Sequence, residues 1–273
     1  MTHLAVRILT TLFCPAGDNL TCISTAKSFR YTTPPLKPTP QDLVNTSFLA
    51  AKSFHFLATP DEILTQVPHL LALRKHHATP TRPFIVWEPL PSSCVPEIRS
   101  MFLEACRLVD VFSPNHIELA KLFSLDSKQS SSFDKVAIES YASFFTDHAS
   151  SQKSDSPIVI VRCGEHGSFT LSSRQQLWLP PFYSKGAKQV LDATGAGNAF
   201  LGGFMAGWIE TGDAVEASIS GTVAASFAVE QVGLPYLTRS EKGKGDMEVW
   251  NGVDVRERLA EYRMRVVGDG RMR

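Results

Sequence analysis

Glycine is almost missing from the first part of the chain: Gly17 is the only one before Gly164, and the other sixteen of the seventeen lie from Gly164 onward. A ligand that must approach bare backbone is therefore expected in the C-terminal part. Cysteine is sparse as well. Cys14, Cys22, Cys94, Cys106 and Cys163 are odd in number and scattered, with no C-x-x-C pair, which argues against zinc or redox work and reads as reduced cytoplasmic thiols. Cys163, at the end of an apolar strand beside Gly164, is expected to be a packing residue. Excess charge of either sign is lacking, since Lys+Arg and Asp+Glu are 27 each; no sequence-wide field draws the protein to nucleic acid or to an anionic membrane. No run reaches the roughly 18 apolar residues of a membrane span. The apolar stretch from Leu4 to Phe13 is interrupted by Arg7 and is followed by no convincing small-x-small cleavage site, so it is read as a strand, or a start inside a longer ancestral frame, rather than a signal-peptide core.

What is present is regular. With 273 residues and 43% hydrophobic content, one sizeable core and a single α/β domain is the simplest organisation. Strands are expected at Ser53 to Ala58, Pro83 to Trp87, Val109 to Phe112 and, as a fully buried run, Ile158 to Val161, with a hairpin from Phe169 to Leu171 and Gln176 to Leu179. Helices are expected at Asp61 to His77, Pro96 to Leu108, Asn115 to Phe123, Ala199 to Glu210 and Val215 to Gln231. Ser-rich loops lie around residues 127 to 132 and 150 to 156, and a Pro-rich piece runs from Thr32 to Pro40. Such alternation predicts βαβ units and a mostly parallel sheet, with ligands at the carboxyl ends of its strands.

The stretch Asp192-Ala193-Thr194-Gly195-Ala196-Gly197-Asn198 reads as the end of a strand, a tight turn and the first turn of a helix. Free backbone N–H groups at the positive end of a helix dipole bind anions without a basic side chain; glycine used for packing alone is the alternative. No Lys-Ser/Thr follows the glycines, so this is no Walker A loop, and Phe200 stands where a dinucleotide fingerprint needs a small residue.

The run from Leu191 to Phe204 resembles the second signature of the ribokinase-like, or PfkB, family of carbohydrate and nucleoside kinases, D-T/S-x-G-A-G-D-x-F followed by small residues. Asn115-His116-Ile117-Glu118 resembles that family's N-x-x-E motif, Val161 to Gly167 its strand-T-x-G-x-x-G turn, and Ala224 to Gly233 its nucleotide-side helix. The resemblance, over roughly Ser53 to Pro235, implies a three-layer α/β sandwich that transfers a phosphoryl group from ATP to a sugar or nucleoside hydroxyl. It implies that backbone around Gly195, Ala196 and Gly197 stabilises the transferring group and that Asn115 and Glu118 organise Mg²⁺ through water. It further implies that Asp192 helps hold a monovalent cation and that Gly164, Arg162, Thr194 and Gly233 lie on the nucleotide side. Asn115 and Glu118 read equally as a helix N-cap with an N3 glutamate, and the two readings are compatible.

Departures from the family are specific. Asn198 replaces the catalytic-base Asp, and an amide orients a hydroxyl without accepting its proton. Ala193 replaces Thr or Ser. Arg162 replaces Thr, as either a phosphate-binding guanidinium or a salt-bridged strand end. Residues 1 to 50 hold one glycine and no Gly-Gly pair, so the lid and substrate half are expected to be reduced or absent; Gly17-Asp18-Asn19 reads as a turn. The expected organisation is a divergent segment over 1–50, a core over 51–240, and a solvated C-terminal helix and tail over 241–273, whose stretch from Arg256 to Arg273 carries six arginines against three acids. A shortened substrate half predicts exposed apolar surface, hence self-association or a protein partner. The alternative to an active kinase is a catalytically impaired relative, a pseudokinase, that binds nucleotide or a protein partner for regulation.

Overall fold

The computed structural model describes residues 37–77, 79, 81–123, 133–149, 157–239 and 248–268. The stretch from Leu4 to Phe13, the Gly17-Asp18-Asn19 turn, the two Ser-rich loops and, of the expected divergent segment over 1–50, all that precedes residue 37 fall outside the described residues.

Six strands form one sheet in the order of the chain: β1 (Ser53–Ala58), β2 (Phe84–Pro89), β3 (Val111–Phe112), β4 (Ile158–Arg162), β5 (Ser168–Leu171) and β6 (Gln176–Leu179). β1 to β4 pair in parallel, and β4, β5 and β6 pair antiparallel. The parallel crossovers carry α1 (Pro60–His76), α2 (Arg99–Cys106), α3 (His116–Lys121) and α4 (Lys135–Ala149). After the hairpin come α5 (Ala196–Thr211) and α6 (Ala214–Ala228), then a separate antiparallel sheet of β7 (Leu237–Arg239), β8 (Glu248–Trp250) and β9 (Val253–Asp254), and α7 (Val255–Gly268). Among the described residues no helix is long and apolar enough to cross a membrane.

Strand alternation sorts the side chains between two cores. Ile85, Trp87, Phe112, Val159 and Val161 face α1 to α4. Val86, Val111, Ile158 and Ile160 face the opposite side, where Phe200, Leu201, Phe204 and Met205 of α5 cover them. Helix starts are fixed locally. Thr59 and Glu62 form a capping box ahead of Pro60, and Asp213 accepts from the amides of Val215 and Glu216 at the start of α6.

Two expectations need correction. No strand leads into the glycine-rich turn: Val190 and Leu191 are exposed, and the amides of Leu191 and Asp192 donate to the single carbonyl of Val229, so the segment is anchored by the end of α6 rather than by a sheet. The C-terminal helix is not simply solvated. Tyr262 and Val266 of α7 are fully buried against Ile219, Val223 and Phe227, and Arg258 and Arg263 add contacts to α6, over the Phe227 ring and to Glu216.

α5 and α6 are joined by small residues. A Cβ on Gly203 would lie 2.5 Å from the Cβ of Ala224 and 2.6 Å from the carbonyl oxygen of Ser220, and neither atom belongs to a flexible side-chain end. Gly203→Ala is therefore expected to destabilise the protein by about 1–3 kcal/mol through overpacking, read as a lower urea midpoint with an unchanged m-value; an unchanged midpoint would show that the helices separate freely.

Candidate functional site

The carboxyl ends of β2, β3 and β4 and the first turn of α5 meet on one face. The same alternation that points Val86, Ile158 and Ile160 toward α5 points Glu88 and Arg162 that way where the strands end. His55, on β1, lies on this face too. Its Nε2 is 3.1 Å from Glu88 Oε2, yet neither atom gains an aligned hydrogen bond.

Arg162 is the centre of the cluster. Nη1 is 2.8 Å from Glu88 Oε1, Nη2 is 3.7 Å from Glu118 Oε2, and Nη2 also donates to the Ser113 carbonyl at 3.0 Å. Side chains are 12% exposed for Arg162, 11% for Glu88 and 6% for Glu118. Burial by itself pushes the Glu88 carboxyl up, but Arg162 and His55 outweigh it and hold the group below the ordinary glutamate range. At Glu118 burial wins against Arg162 and the Asn115 amide, aided by repulsion from Glu88, and the carboxyl is pushed up.

Asn115 and Glu118 form the capping box. Asn115 Oδ1 accepts from the amides of Ile117 and Glu118, while Glu118 Oε2 accepts from the Asn115 amide at 2.7 Å and Oε1 from Asn115 Nδ2 at 2.6 Å. Both carboxylate oxygens thus have partners within the protein, and Arg162 stands beside them. Each carboxylate oxygen keeps a further lone pair for a metal-bound water, so the capping role and a role toward magnesium do not exclude each other. Among the described residues no group of three or more His, Cys, Asp or Glu side chains is placed to hold a metal ion.

The turn itself fits an anion better. Gly195 caps α5 in the left-handed conformation, φ 82°, with no side-chain cap for the helix, and a Cβ there would meet nothing within 4 Å. The Ala196 amide donates to the Ala193 carbonyl at 3.2 Å, which leaves the amides of Gly197 and Asn198 in the first turn for an outside acceptor. The space beside Gly197 is different: a Cβ there would lie 2.2 Å from Arg162 Nη1, so the opening left by this glycine is filled by the protein's own guanidinium. Ala196 and Asn198 sit in the same turn as the first and third helical residues; Asn198 is half-buried.

The other residues singled out from the sequence fall nearby in the chain but do not all converge. Asp192 Oδ1 accepts from the amide and hydroxyl of Thr194 at 2.9 and 2.8 Å, a local turn bond that shapes the approach to Gly195. Gly164 and Gly233 have positive φ, 54° and 94°, with open space beside them. Cys163 is a packed thiol donating to the Val161 carbonyl, and burial pushes it up to about 12, far from the thiolate range needed for reactivity.

His55 and Glu88 were missed by sequence reasoning. Glu88 was legible in principle, as a carboxylate two residues beyond a buried apolar pair on the same face of a strand. Removing one partner of this buried cluster strands a charge, which costs about 3–5 kcal/mol. Arg162→Met and Glu88→Gln are each expected to lower the unfolding free energy by about that amount, while the double variant loses clearly less than the sum. Additive losses in urea unfolding would mean that the two side chains are not coupled.

With this geometry in place, comparison with known proteins is informative. The model of the pfkB family carbohydrate kinases matches residues 11–239. An uncharacterized protein of Schizosaccharomyces pombe is 34% identical over 243 residues, 86% of this chain and 65% of its own length. Protein MAK32 of Saccharomyces cerevisiae is 31% identical over 220 residues, 77% of this chain and 56% of its own. This chain therefore spans between about half and two thirds of those relatives. Among solved structures, Anopheles gambiae adenosine kinase in complex with P1,P4-di(adenosine-5) tetraphosphate matches with a TM-score of 0.53 at 20% identity, over 71% of this chain and 56% of that one. At that identity the likeness concerns the fold.

Proposed function

Because the chain belongs to the pfkB family of carbohydrate kinases, whose model matches residues 11–239, we propose that the first turn of α5 binds the phosphates of an ATP-type nucleotide and that phosphoryl transfer to a sugar or nucleoside hydroxyl is impaired. The observation that carries the reading is the pairing of an uncapped helix N-terminus at Gly195 with Asn198 in the position of the family's base. Phosphoryl transfer relies mainly on positioning and on stabilising charge. Backbone around Gly195, Ala196 and Gly197 and the dipole of α5 supply the electrostatic part. Asn198 orients an acceptor hydroxyl but leaves its proton without a carboxylate to take it.

Bound nucleotide supplies the γ-phosphoryl group; everything else belongs to the chain. Asp192 and Thr194 hold the turn through their side-chain bond, and Gly164 and Gly233 leave room for a ligand on either side. Asp192 as a monovalent-cation residue and Gly164, Arg162, Thr194 and Gly233 as nucleotide-side residues belong to the same proposal. Val190, Leu191, Val232, Leu234 and Tyr236 are exposed beside the turn and after α6, which supports self-association or a protein partner as the use of such a site in regulation.

Calorimetric titration with ATP, followed by ADP release over a panel of sugars and nucleosides, tests this reading. ATP is expected to bind, with turnover on the order of 10²-fold or more below the ~1–100 s⁻¹ common among kinases. Asn198→Asp should raise ADP release, by up to about 10²-fold, with nucleotide affinity nearly unchanged. Turnover at ordinary kinase rates by the unmodified protein, or a fall on introducing Asp, would overturn the impaired-base assignment.

A further inference from the structure

We propose that the floor beneath the glycine-rich turn binds an internal water molecule, held jointly by His55, Glu88, Ser113 and Arg162. The inference stands apart from the nucleotide reading, because it concerns groups that the protein buries whatever occupies the turn.

Buried polar atoms in folded proteins nearly always have a partner, and each exception calls for a physical account. Among the described residues seven buried side-chain nitrogen or oxygen atoms have none, and four of the seven belong to one place: His55 Nε2, Glu88 Oε2, Ser113 Oγ and Arg162 Nε. Strand alternation puts all four side chains on the side of the sheet that Val86, Val111, Ile158 and Ile160 present to α5. The register then gathers them. Pairing of Val86 with Val111 and of Trp87 with Phe112 sets Ser113 beside Glu88 at one strand spacing, about 4.8 Å, and the Ser113 amide donates to the Trp87 carbonyl at 2.8 Å. His55 Nε2 is 3.1 Å from Glu88 Oε2 but out of line for a hydrogen bond. Arg162 reaches the same carboxylate through Nη1 at 2.8 Å and the Ser113 carbonyl through Nη2 at 3.0 Å, which leaves its Nε–H as the donor without a partner.

The chemistry of the four atoms names the ligand. Arg162 Nε–H only donates and a carboxylate oxygen only accepts, whereas the Ser113 hydroxyl does either and His55 Nε2 follows its tautomer. Water donates two hydrogen bonds and accepts two, so a single molecule matches the whole set by accepting from Arg162 and donating to Glu88. Internal waters are typically held by about three hydrogen bonds to groups the protein leaves unmet, and four groups are on offer here. Bound at this point, the water ties the edge strand β1 to the ends of β2, β3 and β4. It also fixes the Nε side of the guanidinium whose Nη1 fills the space beside Gly197, so the floor of the turn is held by solvent as well as by charge.

The test pairs high-resolution crystal structures of the full chain, grown once with EDTA and once with MgCl₂, with magnetic relaxation dispersion of the solvent. The expected result is one density peak, the same in both crystals, at about 2.6–3.2 Å from at least three of the four atoms. Ser113→Val, whose methyl groups take the water's place, should remove that peak and lower the dispersion amplitude by one long-lived water. If Ser113→Val fails to fold by circular dichroism, Ser113→Ala carries the comparison: the water loses one partner and exchanges about 2- to 10-fold faster. His55 Nε2 and Glu88 Oε2 in line with each other and no peak between the four atoms would overturn the inference. So would a dispersion amplitude and exchange rate unmoved by the Ser113 variants. A peak that forms only with MgCl₂, at a metal–oxygen distance of about 2.0–2.1 Å from Glu88, would replace the water by a cation and overturn it as well. None of these outcomes bears on nucleotide binding, which the titration with ATP decides separately.

Discussion

The Arg162 guanidinium, wedged between Glu88 and Glu118 under Gly197, is the contact to which the whole carboxyl edge of the sheet is fitted. It joins three strand ends and two helix starts, so each of those elements must begin or end at the right residue and on the right face for the charges to meet. A buried ion pair seldom stabilises more than a well-packed apolar replacement would. Its effect is conditional: with all partners present the cost of burying charge is offset, and with one partner removed it is not. The register of β2 against β3, Val86 to Val111 and Trp87 to Phe112, and of β3 against β4, Val111 to Ile158 and Phe112 to Val159, sets the lateral placement of Glu88, Ser113 and Arg162 that this requires.

The turn above the cluster depends on how α5 is held. Gly203, Gly207 and Gly221 allow α5 and α6 to approach so closely that an added Cβ at any of them would meet backbone or the base of a side chain within 3.0 Å. The far end of α6 is secured by polar contacts. Glu230 accepts from the Tyr183 hydroxyl, from Arg258 of α7 at 2.7 Å and from Asn251 Nδ2 at 2.7 Å, while the Arg258 guanidinium lies 3.8 Å above the Phe227 ring. Because Val229 supplies the carbonyl that both Leu191 and Asp192 bond, this network positions the approach to Gly195 from behind. The C-terminal strands and α7 thus brace the glycine-rich turn.

Sequence periodicity made most of this architecture legible, and the misses have definable causes. Ser53–Ala58 and Ile158–Arg162 declare themselves as strands by β-branched and aromatic runs, and Pro60–His76 as a helix by its capping box and basic last turn. α4 was passed over because a Ser-rich loop precedes it and another follows, and its apolar residues, Ile138, Ala142, Phe145 and Ala149, read as a helical stripe only once the loops are set aside. β7, β8 and β9 have two or three residues each, too short to show a period. The strand expected before Asp192 was an error of context: three β-compatible residues form no strand without a neighbour to pair with. His55 and Glu88 are not marked by apolar alternation, because the period that carries apolar residues to the α5 face carries polar ones there too.

The Asn115 and Glu118 pair shows why a motif can outlast one of its uses. As a capping box it satisfies amides at the start of α3 and both oxygens of a buried carboxylate, a structural need that persists whether or not a metal is ever bound. Losing a cap alone costs about 1 kcal/mol, and here Glu118 also neighbours Arg162, so its removal would disturb two interactions. Gly197 is constrained in the same double manner, since the room that would admit a phosphate is the room in which Nη1 rests. Packing and charge balance around Arg162 thus account structurally for Asn115, Glu118 and Gly197 without any appeal to catalysis. Asn198 has no such structural tie: its side chain makes no hydrogen bond to another described residue, and the turn folds around the backbone of its neighbours.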